Sequence, residues 1–301
     1  MPAQSNFPVI ALVSARAARD LDEDLPPLID ALRSSGANVR VVDWDDEGVD
    51  WSAFDIALLR STWDYSTRLE VFLAWAERAA VQTQLLNPLS VVRWNTDKHY
   101  LADLANAGVR IVPSEFVEPG QDATAALAGF QSRYGTDELV VKPAVGSGSR
   151  DTQRHRSTER AVITKHIRRL TDAGRSALLQ PYLDCVDAHG ETALIYFAGR
   201  FSHAIRKGPL LRSGEAPTAR LFATETITPR MPTPEELRLG EATLRAIPFG
   251  RLLYARVDLI WDAADAPCVL EVELTEPSVF LAQAPGAAER FAAAILAWRA
   301  E

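Results

Sequence analysis

Two short runs carry the densest chemistry in this chain, Arg256-Val-Asp258 and Glu271-Val-Glu273. Side chains alternate faces along a strand, so Arg256 shares a face with Asp258 and Glu271 with Glu273. Paired in register as a hairpin, the two runs bring three carboxylates and one guanidinium together. The first acid sits within Leu-Tyr-Ala-Arg-Val-Asp-Leu-Ile-Trp and the other two within Val-Leu-Glu-Val-Glu-Leu. Carboxylates framed so closely by large apolar residues need a partner. Hard divalent cations take oxygen ligands, so Asp258, Glu271 and Glu273 read as a metal site. A solvated sheet face with cross-strand ion pairs is the plainer reading of the same residues.

A second signal is Val140-Val-Lys-Pro-Ala-Val-Gly-Ser-Gly-Ser149. A strand delivers Lys142 into a small-residue loop, Gly146-Ser147-Gly148, whose backbone N–H groups could cradle phosphates. No Lys-Ser/Thr follows these glycines and no Gly-x-Gly-x-x-Gly is present, which excludes a Walker A loop and disfavours dinucleotide binding. A simple Gly-Ser turn fits the loop taken alone. Leu178-Leu-Gln180-Pro181-Tyr182-Leu183 is an extended run interrupted by proline. Such a run leaves backbone groups free for an adenine edge, and an edge strand carrying proline fits it equally.

In the first third, Ser14-Ala-Arg16 and Arg60-Ser-Thr-Trp-Asp64-Tyr65 follow strand-like runs. Both loops leave the carboxyl edge of a parallel sheet, where open α/β sheets bind ligands. Arg16, Arg60, Asp64 and Tyr65 are therefore expected beside the substrate, with Arg60 for a carboxylate and Asp64 for an ammonium. The alternative makes Trp63 core and Asp64 a turn residue. Asp20, Asp22, Glu23 and Asp24 read as a solvated helix start.

The elements that must position these residues form an α/β (α+β) fold. Val9–Val13, Val39–Val42 and Ile56–Leu59 are apolar runs, as strands covered on both faces should be. Leu25, Leu28, Ile29 and Leu32 repeat at helical spacing before Gly36, and Thr67-x-x-Glu70 reads as a capping box. Further helices are expected at Asp97–Ala107, within Ala123–Tyr134, around Thr158–Leu170 and at the C-terminus, with Phe291 and Ile295 buried. Strands are expected near Ile111 and at Leu139–Lys142 and Ala177–Leu183, with hairpins at Glu191–Lys207 and Tyr254–Leu274. Gly208–Pro234 is rich in Pro, Gly, Ser and Thr and reads as one long lid-like connection.

The 301 residues are 47% hydrophobic and 24% charged, with a formal net charge of −8. That balance is globular. An acidic chain without a basic patch is not expected to bind nucleic acid. The apolar runs are strand-sized, so no membrane span is expected, and Met1–Asn6 lacks the features of a signal peptide. Cys185 and Cys268 stand apart without ligand spacing, which suits inert thiols in a reducing cytosol. The five histidines are scattered. No Ser/His/Asp or Cys/His set stands out.

In order and spacing these pieces resemble the ATP-grasp superfamily over about residues 93–281. The resemblance implies a small N-terminal parallel α/β domain, 1–92, and an ATP-grasp domain, 93–301, whose lobes 113–182 and 183–301 grip ATP. It makes Lys98 and Lys142 the ATP lysines, places Gly146, Ser147 and Gly148 in the loop over the phosphates, and makes Gln180, Pro181, Tyr182 and Leu183 the adenine hinge. Glu191 serves the ribose or the metal, Arg256 meets the transferring phosphate, and Asp258 and Glu271 hold Mg²⁺. The family usually has Asn where this chain has Glu273, which leaves the number of metal ions open. Lys207 is the candidate for stabilising an acyl phosphate, with Arg206 as the neighbouring alternative.

Arg-Ser-Thr-Trp-Asp-Tyr65, Arg-Trp-Asn-Thr-Asp-Lys98 and Val-Glu-Leu-Thr-Glu-Pro-Ser278 are similar to the ATP-grasp subgroup that contains the O-ureido-serine cyclo-ligase of cycloserine biosynthesis. The implied function is ATP- and Mg²⁺-dependent activation of a small amino-acid-like substrate, followed by ring closure. Thr275 and Ser278 are expected to wall off the substrate. An intermolecular amino-acid ligase and a non-catalytic nucleotide-binding module are the rival readings, and a homodimer is left open. The 208–234 stretch and the Gly146–Ser149 loop are expected to close over the nucleotide.

Overall fold

The computed structural model describes residues 7–211 and 226–299. The chain opens with β1 (Val9–Ser14), α1 (Leu25–Ser34), β2 (Asn38–Asp43), β3 (Ile56–Ser61), α2 (Leu69–Gln82) and β4 (Gln84–Leu86). The four strands form a parallel sheet in the order β2-β1-β3-β4. All six residues of β3 are buried, including Arg60 and Ser61, as a strand covered on both faces requires.

Two short helices, α3 (Leu89–Asn95) and α4 (Tyr100–Asn106), lead to β5 (Glu115–Val117), α5 (Ala123–Tyr134), β6 (Glu138–Pro143), β7 (Gln153–Arg156), α6 (Arg160–Thr171) and β8 (Ala177–Pro181). These strands form an antiparallel sheet, order β5-β8-β6-β7, backed by α5 and α6 around Phe130, Leu139 and Ile167. The rest comprises α7 (Cys185–His189), β9 (Glu191–Phe197), β10 (Arg200–Lys207), β11 (Ile227–Arg230), α8 (Pro234–Ala246), β12 (Tyr254–Trp261), β13 (Pro267–Glu273) and α9 (Ala287–Arg299). Its five strands pair antiparallel in the order β11-β10-β9-β12-β13. The β9–β10 turn holds Ala198 at φ 49° and Gly199 at φ 75°, the left-handed geometry of a tight hairpin.

Several expectations change. The capping box is not at Thr67, whose hydroxyl donates to the Asp64 carbonyl, but at Thr233–Glu236, where it opens α8. The helix expected from Asp97 starts at Tyr100, which leaves Lys98 in a turn where its N–H bonds the Ala144 carbonyl at 2.9 Å. The 208–234 connection contains β11, paired with β10 at the sheet edge, where Pro229 removes no ladder donor that the sheet needs. Residues 212–225 of that stretch lie outside the described residues.

The first and last sheets share a core, while the β5-β8-β6-β7 sheet has its own. Ile10, Leu12 and Leu28 pack in one apolar cluster with Ile195, Ile205, Phe291 and Ile295, so α9 closes the first sheet against the last. Two asparagines then pin β13 and its neighbour from the N-terminal side. Asn87 donates to the carbonyls of Tyr254 and Leu274 at 2.9 and 2.8 Å, and Asn95 donates to Val272 at 2.7 Å.

Asp24 completes the clasp. It was expected in solvated helix cap territory, yet its carboxylate is buried and accepts N–H from Val279 at 2.6 Å, Phe280 at 3.0 Å and Leu281 at 2.6 Å. Arg60 Nη2 lies 3.4 Å from the same carboxylate. Asp24→Ala would leave three buried donors without a partner. We expect a loss of about 3 kcal/mol in urea-induced unfolding, because each orphaned buried donor costs on the order of 1–3 kcal/mol and water recovers part of it. A loss below about 1 kcal/mol would show that the turn holds itself.

Candidate active site

A cavity of about 570 Å³ lies where the three sheets meet. Its floor is β12 and β13, and their register is the one that the alternation of acids requires. Arg256 faces Glu273 and Asp258 faces Glu271 across the ladder. A one-residue slip of β13 would turn Glu271 and Glu273 into the apolar layer behind, away from Asp258 and Arg256.

Charge is balanced inside this cavity by direct pairing. Arg256 donates from Nε and Nη2 to the two oxygens of Asp258 at 2.9 Å each, and also to Glu273 and to the Ser278 carbonyl. Lys207 Nζ, from β10, sits 2.8 Å from Asp258 and 2.7 Å from Glu191. Lys98 Nζ bonds Glu271 at 2.8 Å and the Gly146 carbonyl at 3.1 Å, tying the acids to the glycine loop. Burial raises the Asp258 carboxyl, but Arg256 and Lys207 overcome it and hold the group at about 2. Glu271 is likewise lowered against burial by Lys98 and Lys142.

Two acids remain in excess. Burial, with Asp258 and Glu271 nearby, pushes Glu273 up to about 7 despite Arg256. Burial and Glu273 push Glu276 up to about 8. Lys142 shows the reverse, lowered to about 8 by burial against the pull of Glu271. Among the described residues no three His, Cys, Asp or Glu side chains stand as a ready metal-ligand group. The acids of the floor face Lys and Arg instead.

One end of the cavity suits a flat apolar ring with polar edges. Val112, Val140, Leu183, Val186, Ile260 and Leu270 line it, with Gln180, Pro181 and Tyr182 at the strand end. Gln180 is buried and donates to the Ser114 hydroxyl at 2.9 Å. The Arg154 guanidinium lies 3.5 Å from the Tyr182 ring centroid, stiffening this wall. Gly146, Ser147 and Gly148 roof the middle. Gly148 has φ +63°, and Asp151 anchors the loop through Arg169 and Arg175 at 2.7 Å each.

The other end belongs to the N-terminal part and differs from expectation. Tyr65 and Ser278 line the cavity, whereas Arg16, Arg60, Asp64 and Thr275 do not. Arg16 is exposed. Arg60 is fully buried behind the wall, donating to the Pro277 carbonyl at 3.0 Å. Asp64 is taken by Trp44 and Arg68, and the Thr275 hydroxyl donates to Asn95. In their place stand Asp22, Trp63 and Glu276. Asp22 was legible only as one of four acids after the first strand. Glu276 is the second acid of Val-Glu-Leu-Thr-Glu-Pro-Ser278, a run read for its overall likeness and not for that residue. His203 bonds the Val279 carbonyl at 2.8 Å and does not line the cavity.

Residues 10–87 match the family model described as D-cycloserine synthetase DcsG, N-terminal domain. The cycloserine biosynthesis protein DcsG of Streptomyces lavendulae is 39% identical over 296 residues, covering 95% of this chain and 97% of that protein. The crystal structure of D-cycloserine synthetase DcsG superposes with a TM-score of 0.90 at 38% identity, covering 97% of this chain and 99% of that one. The ATP-grasp ligase PsnB, solved with its minimal precursor, Mg and ADP, shares the fold at a TM-score of 0.64 and 17% identity, covering 97% of this chain and 98% of its own. The chain belongs to the DcsG family and has the ATP-grasp fold.

Proposed function

We propose that this chain is an ATP- and Mg²⁺-dependent carbon–nitrogen ligase of antibiotic biosynthesis that acts in the cytoplasm and closes O-ureido-serine into a cycloserine-type ring. The observation that carries the reading is 39% identity to DcsG along 95% of the chain. The cavity supports it, with five Lys and Arg and eight Asp and Glu residues among those that line it, beside an apolar slot. In this reading residues 1–92 form the substrate side, and 93–301 the nucleotide grip with lobes 113–182 and 183–301.

The adenine lies in the slot along Gln180, Pro181, Tyr182 and Leu183, with Glu191 at the ribose. Lys98, Lys142 and the Gly146-Ser147-Gly148 backbone meet the phosphates. The substrate carboxylate attacks the terminal phosphorus, ADP leaves, and the acyl phosphate forms beside Arg256 and Lys207. The ureido nitrogen next to the serine oxygen then attacks the activated carbonyl and gives up its proton as phosphate departs. The ring so formed still carries the carbamoyl group on that nitrogen, and water releases it as carbon dioxide and ammonia to leave the cycloserine-type ring. Holding both reacting ends in one cavity replaces capture of a second substrate, an effect that reaches roughly 7–11 kcal/mol in favourable intramolecular reactions. The protein's contribution is positioning and fixed charge.

The donor chemistry fits a hard divalent cation. Asp258, Glu271 and Glu273 offer oxygens only, from adjacent strands, in a cavity that already holds surplus buried acid. These three residues would hold Mg²⁺, whose chemistry there is to offset phosphate charge.

Three outcomes are expected. O-ureido-serine with ATP and Mg²⁺, and no added amine, should give ADP and the ring product by mass spectrometry. ADP that appears only with a second amine would make the chain an intermolecular ligase. Asp258→Asn and Glu271→Gln should lower ADP formation by at least two orders of magnitude, since each removes an anchor for transition-state charge, with circular dichroism unchanged. Wild-type rates in both variants would sink the assignment.

The third concerns pH. Glu273 has its folded value raised to about 7 from an ordinary 4.5. For an acid raised in this way, the stability of the neutral form is present below the unfolded value and is lost as pH rises through the folded one. Nucleotide-free Glu273→Gln should therefore melt higher than the wild type at pH 8, with the gap closing near pH 4.5. A gap that does not change with pH would refute the crowding of charge.

A further inference from the structure

We propose that Glu276, with Asp22, forms the pole of the cavity that binds the α-ammonium group of the amino-acid substrate; this rests on the ligase reading above. An amino acid is a zwitterion, so a site that activates its carboxylate must also receive a cation a few ångströms away. Lys98, Lys142, Lys207 and Arg256 lie around the β12–β13 floor. The expected ammonium partner, Asp64, is outside the cavity and held by Trp44 and Arg68.

Glu276 is placed for the task. It is 8% exposed and lines the cavity beside Tyr65. Its backbone is fixed, because Trp63 Nε1 donates to its carbonyl at 3.0 Å. Among the described residues Asp258, Glu271 and Glu273 each have a Lys or Arg within ion-pair distance, and Glu276 has none. Asp22 is 4% exposed, and its Oδ2 is buried without a hydrogen-bond partner. A buried carboxylate oxygen left without a donor is costly unless a ligand supplies one. A primary ammonium brings three donors and a positive charge.

The spacing also fits. Ser278 gives its carbonyl to Arg256 Nη1 at 3.1 Å. Glu276 lies two residues earlier, within about 7 Å of backbone at full extension. One small molecule can therefore present its carboxylate to Arg256 and its ammonium to Glu276. Arg60, buried behind Asp22 and bonded to Asp24, offsets part of the acid charge without entering the cavity.

The test is calorimetric binding in the presence of a non-hydrolysable ATP analogue. O-ureido-serine, serine and alanine are each compared with their des-amino counterparts, on the wild type, Glu276→Gln and Asp22→Asn. The wild type should prefer the amino form by at least tenfold in at least one pair. Glu276→Gln should bind both members of that pair alike, and Asp22→Asn should reduce the preference in part. Affinity for the ATP analogue should hold and the melting temperature should not fall, since a neutral Gln relieves the buried acid at Glu276, which separates ammonium binding from a structural or metal-site role. A preference retained in Glu276→Gln, or absent from the wild type in every pair, overturns the proposal. Ring closure plays no part in this readout. A protein that binds amino acids through Glu276 and forms no ring would refute the cyclo-ligase reading alone.

Discussion

The register between β12 and β13 is the constraint on which the rest of the site depends. It puts Arg256 opposite Glu273 and Asp258 opposite Glu271, on the face turned to the cavity. Burying Asp258 at 2% exposure is tolerable only because two cations reach it, one from its own strand and one from β10. Removing either cation would leave a buried charge uncompensated. Pairing that is tight in one register and ruinous in the next is a strong selector of the fold, more than it is a source of net stability.

That register is held from outside as well as from within. Asn87 and Asn95 bond the backbone of β12 and β13, and Asp24 gathers three N–H groups of the turn that follows. All three belong to the N-terminal third, so the first sheet and its loops act as a brace for the chemistry on the last sheet. The shared cluster of Ile10, Leu12, Phe197 and Phe291 makes the brace rigid. The end of the cavity built from Trp63, Tyr65 and Asp22 is thereby fixed relative to the β12–β13 floor.

The electrostatics of the cavity are uneven in a useful way. Asp258 and Glu271 are held low by the cations beside them, while Glu273 and Glu276 stay above the ordinary carboxylate range because burial and mutual repulsion outweigh the cations. Lys142 is drawn down toward neutrality by the same burial. Such groups are poised to change charge state when a polyanion or a cation arrives, which is the behaviour expected where charged ligands must be admitted to a dry site.

Much of this was legible in the linear chain. Period-two alternation placed Arg256, Asp258, Glu271 and Glu273 on one face, and that pattern needs only neighbouring strands to become a site. Lys142 and the glycines after it were readable as a strand running into a small-residue loop, which a simple turn fits equally, and packing alone set that loop against the cavity. The core runs Val9–Val13 and Ile56–Leu59 followed from apolar continuity alone. Short elements such as β4, β7, β11 and α7 were not readable, since three to five residues carry no periodicity. What the tertiary structure alone decided is which residues of the N-terminal loops meet the cavity. Arg60 and Asp64 look like ligand-binding residues in sequence, Asp22 and Asp24 look like solvent-facing acids, and Glu276 carries no signal of its own. Their places are exchanged because burial is a property of packing between sheets more than two hundred residues apart in the chain, as the Arg60–Pro277 bond at a separation of 217 shows, and no local pattern records it.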